Sequence, residues 1–206
     1  MAELEAAFHR RELYLVSHDA LGDDGLIAGR SEAGIRSSSR RKYEFVQALL
    51  PAGDEVEYYA AECRRIQQTA ARVRSEAGWE YVESLLPRAM GAWEEQTWAT
   101  VREKDSVRAE AFWSRYESAA APGGGEPLAA VAERSGAFLT GLGNRTNWTK
   151  AVAVTSPEII GCLVCDCLGV NLKTMLRFDV DPLSVTRLTH TWIGWQVGSL
   201  NLTLRK

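Results

Sequence analysis

"LYLVSHDA" (Leu13–Ala20) is the stretch that decides the fold. Leu13–Val16 is an unbroken apolar run of the kind that forms a strand buried on both faces of a sheet. It leads straight into His18, with Ser17 before it and Asp19 after it. Open α/β sheets place their ligands outside the carboxyl ends of their strands. A titratable ring at that point makes His18 the first candidate functional residue, weighed against a structural, hydrogen-bonded histidine.

Working outward, the same pattern returns in "AVAVTS" (Ala151–Ser156), an apolar run that ends at Ser156. "PEIIGCLVCDCLG" follows, with Pro157 at a first-turn position and Gly169 at the end, so a helix is predicted there with Ser156 as its cap. Between the two runs, strand-like and helical segments alternate. "SEAGIRSSSRRKYEFVQALLP" predicts a helix that Ser31 caps and Pro51 terminates. "VEYYAA" (Val56–Ala61) and "YVES" (Tyr81–Ser84) read as strands. "RRIQQTAARV" places Ile66, Ala70 and Val73 at helical spacing. "WATVREKDSVRAEAFWSRYESAA" reads as one helix closing at "PGGGEP" (Pro122–Pro127). The next helix carries Leu128, Val131, Ser135, Phe138 and Leu142 on one face, and "LSVTRLTHTWIGWQVGSLN" reads as two strands around Gly194. This alternation predicts a three-layer α/β/α sandwich on a mostly parallel central sheet, with residues 1–206 forming a single domain.

Composition sets the function classes aside. The chain has 206 residues, 46% hydrophobic and 25% charged, with a net charge of −3. That suits one globular domain and offers no basic surface for nucleic acid. "SSSRRK" (Ser37–Lys42) is the densest basic patch and reads as a solvated helix face. No apolar run reaches the ~20 residues that span a bilayer, so no membrane is expected. "MAELEAAFHRRE" is acidic and lacks the apolar core of a secretory signal. Cys162, Cys165 and Cys167 crowd into "CLVCDC" while Cys63 stands apart, which is no disulfide framework, so a cytoplasmic, reducing compartment is the expectation. The sequons at Asn144, Asn147 and Asn201 are then chance matches. A tetrahedral metal site needs four convergent ligands, and Cys167 points off the face shared by Cys162 and Cys165. The cysteines therefore read as small hydrophobes, with no metal and no cofactor expected. A small-molecule ligand is the expected partner, and a homo-oligomer is left open.

Taken in order, these landmarks resemble the histidine phosphatase superfamily, the phosphoglycerate-mutase-like fold. "LYLVSHDA" resembles the strand ending in that family's Arg-His-Gly. "SEAG" (Ser31–Gly34) is similar to its Leu-Ser/Thr-x-x-Gly, and "CRRIQQTA" (Cys63–Ala70) to its Arg-Ala-x-Gln-Thr-Ala segment. "MGAWEEQT" (Met90–Thr97) resembles Gly-x-Trp-Glu-Gly, and "GGEPLAAVAER" (Gly124–Arg134) the Gly-Glu-Ser helix start. "VAVTSPEII" (Val152–Ile160) matches the strand and turn bearing a second histidine, and "DPLSVTRL" (Asp181–Leu188) with "LN" (Leu200–Asn201) completes the set. The resemblance implies phosphoryl transfer through a phosphohistidine, with a second histidine and two arginines on the phosphoryl oxygens and a glutamate that protonates the leaving group.

Carried over residue by residue, His18 falls on the nucleophile and Arg65 on the second arginine. The remaining positions depart from the pattern. Ser17 stands for the first arginine, Asp19 for the glycine, Ser156 for the second histidine and Pro87 for the glutamate; Ala61 and Glu62 replace a Ser-Pro pair. Serine offers one weak donor where arginine offers a charged fork, and Asp19 and Glu158 add carboxylates near the expected phosphate. The resemblance therefore implies a degenerate member lacking ordinary phosphatase or mutase activity. Its old pocket would bind a less anionic ligand through Ser17, Arg65, Ser156, Glu158, Trp93 and Arg88, or do non-phosphoryl acid–base chemistry with His18 and Asp19. Two alternatives stand beside it. One is an active phosphomonoesterase in which Arg30, Arg36, Arg64 or Arg88 replaces the missing cation. The other is a non-catalytic scaffold with an idle pocket, marked by a pocket closed by side chains. Arg65 is expected within reach of His18 and paired with the Asp19 carboxylate. Trp93 and Trp98 are expected to wall the pocket. His9 and His190 lie away from the motifs.

Overall fold

The computed structural model describes residues 10–22 and 25–204. The N-terminal segment containing His9 lies outside the described residues. Among the described residues, six strands form one sheet: β1 (Arg11–Ser17), β2 (Val56–Ala60), β3 (Glu80–Tyr81), β4 (Lys150–Thr155), β5 (Val185–Thr191) and β6 (Gly194–Leu202), in the order β3-β2-β4-β1-β5-β6. β1, β4, β2 and β3 are mutually parallel, β5 is antiparallel to β1, and β6 is antiparallel to β5. The three-layer architecture is thus the one the alternation predicts.

The two apolar runs are central neighbours. Leu13 pairs with Ala151, and the register carries through to Ser17 opposite Thr155. Leu13, Leu15 and Val16, and Ala151–Val154, are fully buried, because helices cover both faces of these strands. From β1 the chain crosses to β2, beyond β4. From β4 it returns through a helix to β5, on the other side of β1. The carboxyl ends of β1 and β4 are therefore the point where the connections diverge, the place such sheets leave a crevice. His18 N donates to Thr155 O at 2.9 Å and fixes the first residue past β1 against that end.

The helices are α1 (Arg40–Leu49), α2 (Arg64–Val73), α3 (Trp98–Lys104), α4 (Ser106–Ser114), α5 (Leu128–Asn144) and α6 (Pro157–Leu168). α6 follows its sequence signals closely: Ser156 Oγ caps the Ile159 amide, Pro157 occupies the first turn, and Gly169 closes the helix at φ 61°. Four expectations are corrected. The helix expected from Ser31 starts at Arg40, with Ser39 at its N-cap. Residues 31–38 are drawn instead into bonds with other segments: Arg36 N to Ala20 O, Ile35 N to Gln68 Oε1, and Ser38 N to Asp19. The single helix expected from Trp98 breaks at Asp105, whose side chain caps α4 through the Arg108 amide. The third strand is only Glu80–Tyr81, because Glu83–Leu85 turns into a 3₁₀ turn. On α5, Leu139 rather than Phe138 completes the fully buried face.

Candidate active site

The site is built where β1 and β4 end and where α2 and α6 begin. His18 is 8% exposed, and Ser17, Asp19, Arg65, Ser156 and Arg88 are all buried. His18 Nδ1 lies 2.7 Å from the Asp19 backbone carbonyl, and Arg65 Nε donates to His18 Nε2 at 3.2 Å. A guanidinium is a donor only. Nε2 must therefore be the acceptor, which assigns the proton to Nδ1 and makes His18 a neutral imidazole. Burial, and then the Arg65 charge, push its pKa down to about 4, against the opposing pull of the Asp19 carbonyl and carboxylate.

Arg65 sits in the first turn of α2. Its Nη2 donates to Gly29 O at 2.5 Å, and its Nη1 donates to Cys63 Sγ at 3.1 Å and to Ser31 O at 3.5 Å. With Nε on His18, four of the five N–H donors of a guanidinium are engaged. Burial lowers its pKa, opposed by Cys63 and by the nearby Glu94 carboxylate.

The expected Arg65–Asp19 ion pair does not form. The Asp19 carboxylate turns to the opposite side, where it accepts from Ser38 N (2.7 Å), Ser38 Oγ (2.5 Å), Tyr43 Oη (2.8 Å) and Ala20 N (2.7 Å). Burial pushes its pKa up, but the bonds from Ser38, Tyr43 and Ala20 outweigh burial and hold it below the ordinary value. A carboxylate with four donors is stable without a cation, which is why Arg65 is left to other partners.

Ser17 lies at the end of β1 with its hydroxyl 3.5 Å from the His18 carbonyl, a long contact. Ser156 acts as the helix cap its sequence suggests. The other three candidates gather in a second cluster. Arg88 donates to the carbonyls of Glu126 (2.7 Å) and Ala119 (2.6 Å), and its guanidinium carbon lies 4.6 Å from the Phe112 ring centre and 5.3 Å from that of Tyr116. Its Nη1 is 3.5 Å from Glu158 Oε1, close enough for an ion pair though not aligned as a hydrogen bond. Tyr116 Oη donates to the same Glu158 oxygen at 2.9 Å. Burial raises the Glu158 pKa, against the pull of Arg88 and Tyr116. Trp93 packs edge-on to Trp98 and Phe112 in this cluster, so its ring is held by other aromatic rings. Cys162, on the same helix as Glu158, is pushed up to about 12 by burial, as suits a buried thiol rather than a ligand.

Of the candidate replacement cations, Arg30 is bound to Pro87 O and Glu126, Arg64 to Glu32 O, and Arg88 as described. Arg36 lines a separate cavity with Ser37, Ser38 and Lys42. His190 pairs with Arg11 at the opposite end of the sheet, at 2.7 Å. The sequence reading missed Gly29, Ser31 and Cys63 around Arg65, and Ser38 and Tyr43 around Asp19. Ser38 and Tyr43 carried a weak signal, polar residues opening a helix, that reads equally well as a solvated face.

Parallel-centred α/β sheets form a class that places its ligands where the strand connections diverge, and here His18 and Arg65 stand at that point. Within that class the assignment is definite: residues 13–203 match the family model of the histidine phosphatase superfamily (branch 1), and the chain belongs to that family. Solved structures agree on the fold. A putative alpha-ribazole-5'-P phosphatase from Escherichia coli superposes with a TM-score of 0.84 at 19% identity, over 95% of this chain and 99% of the other. A mycobacterial glucosyl-3-phosphoglycerate phosphatase gives 0.78 at 19%, over 94% and 100%. A phosphoserine phosphatase from Entamoeba histolytica, in complex with phosphoserine, gives 0.78 at 15%, over 93% and 96%. No curated protein matches. Among the described residues, no helix is long and apolar enough to cross a membrane.

Proposed function

We propose that this chain is a degenerate histidine-phosphatase-fold protein without ordinary phosphomonoesterase or mutase activity. The observation that carries this reading is the commitment of Arg65. The cation at the phosphate position is held by His18 and by the chain's own carbonyls at Gly29 and Ser31. The groups that would share a phosphoryl's charge are replaced by Ser17 and Ser156, and Pro87 supplies no acid. Each missing oxyanion donor costs about 10²–10³ in rate. The burial of His18 and Arg65 favours a non-catalytic role over the binding of a small, less anionic ligand, and over acid–base chemistry at a His18 that stays neutral near pH 7.

The divergent-phosphatase reading has one observation in its favour. His18 already holds its Nε2 lone pair free of a proton, as a nucleophile requires. The deciding experiment assays p-nitrophenyl phosphate with wild type and with the Ser17→Arg/Asp19→Gly/Ser156→His variant side by side. Turnover confined to the triple variant supports the degenerate reading. Efficient turnover by wild type, abolished by His18→Ala, overturns it.

A further inference from the structure

The two carbonyls on Arg65 belong to a short segment that is fastened on its outer side. Leu26 bridges antiparallel to Thr97, Ile27 N donates to Gln96 O at 2.8 Å, and Glu95 N donates to Ile27 O at 2.8 Å. Glu94 Oε1 then accepts from Arg30 N at 2.8 Å and from Met90 N at 2.9 Å, joining the segment to the loop that precedes α3. Arg30 extends the fastening to Pro87 O and to Glu126, which Arg134 also holds. Gly29 sits at φ 48°, and a Cβ there would collide with the Glu94 side chain. Only glycine lets the chain turn its carbonyl onto Arg65 while passing this close to Glu94.

We propose that residues 26–31 form a strap that gates the His18–Arg65 site, with their carbonyls standing in for an oxyanion on the guanidinium and Glu94 acting as the latch. The proposal rests on the reading that this site is closed to ordinary phosphomonoesters. Carbonyl oxygens are neutral acceptors, and charge-assisted bonds from arginine to phosphate or carboxylate oxygens are roughly twice as strong. On Arg65 alone, then, an oxyanion outcompetes Gly29 O and Ser31 O. What keeps the strap down is the fastening at Glu94, Gln96 and Glu126. Loosening it exposes Arg65, and the class of ligand that gains is a small oxyanion. Glu94 is a positioning residue here, since it acts through the strap.

The test measures inorganic phosphate affinity of the full chain by calorimetry and by ³¹P line broadening. Four proteins are compared with wild type: Glu94→Ala, Gly29→Ala, Arg30→Ala and the Glu94→Ala/Arg65→Gln double variant. Glu94→Ala and Gly29→Ala are expected to bind phosphate at least tenfold more tightly than wild type, and Arg30→Ala a few-fold more tightly. The double variant should lose the gain. Arg30, with its side chain 37% exposed, is the mildest of the three substitutions and carries the comparison if the other two fail to fold. Equal phosphate affinity in wild type and every folded strap variant overturns the proposal, as does a gain that survives the loss of Arg65. The activity reading fails separately. Turnover by wild type contradicts that reading, while the strap stands or falls on the difference between wild type and strap variants.

Discussion

Two charged side chains flank His18, and each is answered by a different part of the chain. On one side the Asp19 carboxylate takes four hydrogen bonds from residues 20, 38 and 43. On the other the Arg65 guanidinium takes the carbonyls of residues 29 and 31, the Cys63 sulfur and the His18 ring. The anion and the cation never meet. The difference between the two sides is chemical. Asp19 is satisfied by backbone amides and hydroxyls that are part of the frame, whereas Arg65 is satisfied by carbonyls carried on a fastened segment. The first arrangement is a structural clasp. The second is a buried cation held by a fastened segment of the chain.

Breaking the clasp should have the largest effect. Asp19→Ala leaves the Ala20 and Ser38 amides and the Tyr43 hydroxyl without their acceptor in a buried setting, and should cost about 3–4 kcal/mol in urea unfolding. Acid comes next. His18 titrates at about 4 in the folded chain against an ordinary 6.5. The unfolded chain therefore binds the extra proton first, so stability is full above the ordinary value and falls as pH drops from 6.5 toward 4. The loss is about 3 kcal/mol. Asp19, held low, adds a further loss below its ordinary 3.8, while Glu158, held high, works in the opposite direction around its ordinary 4.5. Unfolding of wild type and His18→Asn at pH 7 and pH 5 checks this, since the variant should lose most of the pH slope.

Breaking the other side should cost less. Arg65→Leu strands the carbonyls of Gly29 and Ser31 but also removes a buried cation, for a net of about 2 kcal/mol. Calorimetry should then show Arg65→Leu melting above Asp19→Ala; the reverse order would mean that the strap side is the structural one. Tyr43→Phe, which removes one of four donors to Asp19, should cost about 1 kcal/mol.

What the sequence made legible follows from how local each signal is. β1, β4 and α6 were readable because apolar runs, a serine cap, a first-turn proline and a closing glycine all act within a few residues. His18 and Arg65 were readable as a pair through the family's motif order. The start of α1 was not, because Arg36, Ile35 and Ser38 form hydrogen bonds with segments remote from them, and these override local helix signals. The partners of Asp19 and Arg65 were hidden for the same reason. A sequence displays the charges of Asp19 and Arg65 but not the direction each side chain takes, and Gly29 and Ser31 act through backbone carbonyls that leave no mark in residue type.

The central claim is that Arg65, held by the chain itself, leaves His18 unable to take a phosphoryl group. The most direct measurement is rapid mixing of wild type with p-nitrophenyl phosphate, following nitrophenol release in the first turnover and assaying acid-labile phosphate on the protein. The account predicts no burst and no phosphohistidine. A burst approaching one equivalent, with phosphate on His18 and its loss in His18→Ala, would contradict it.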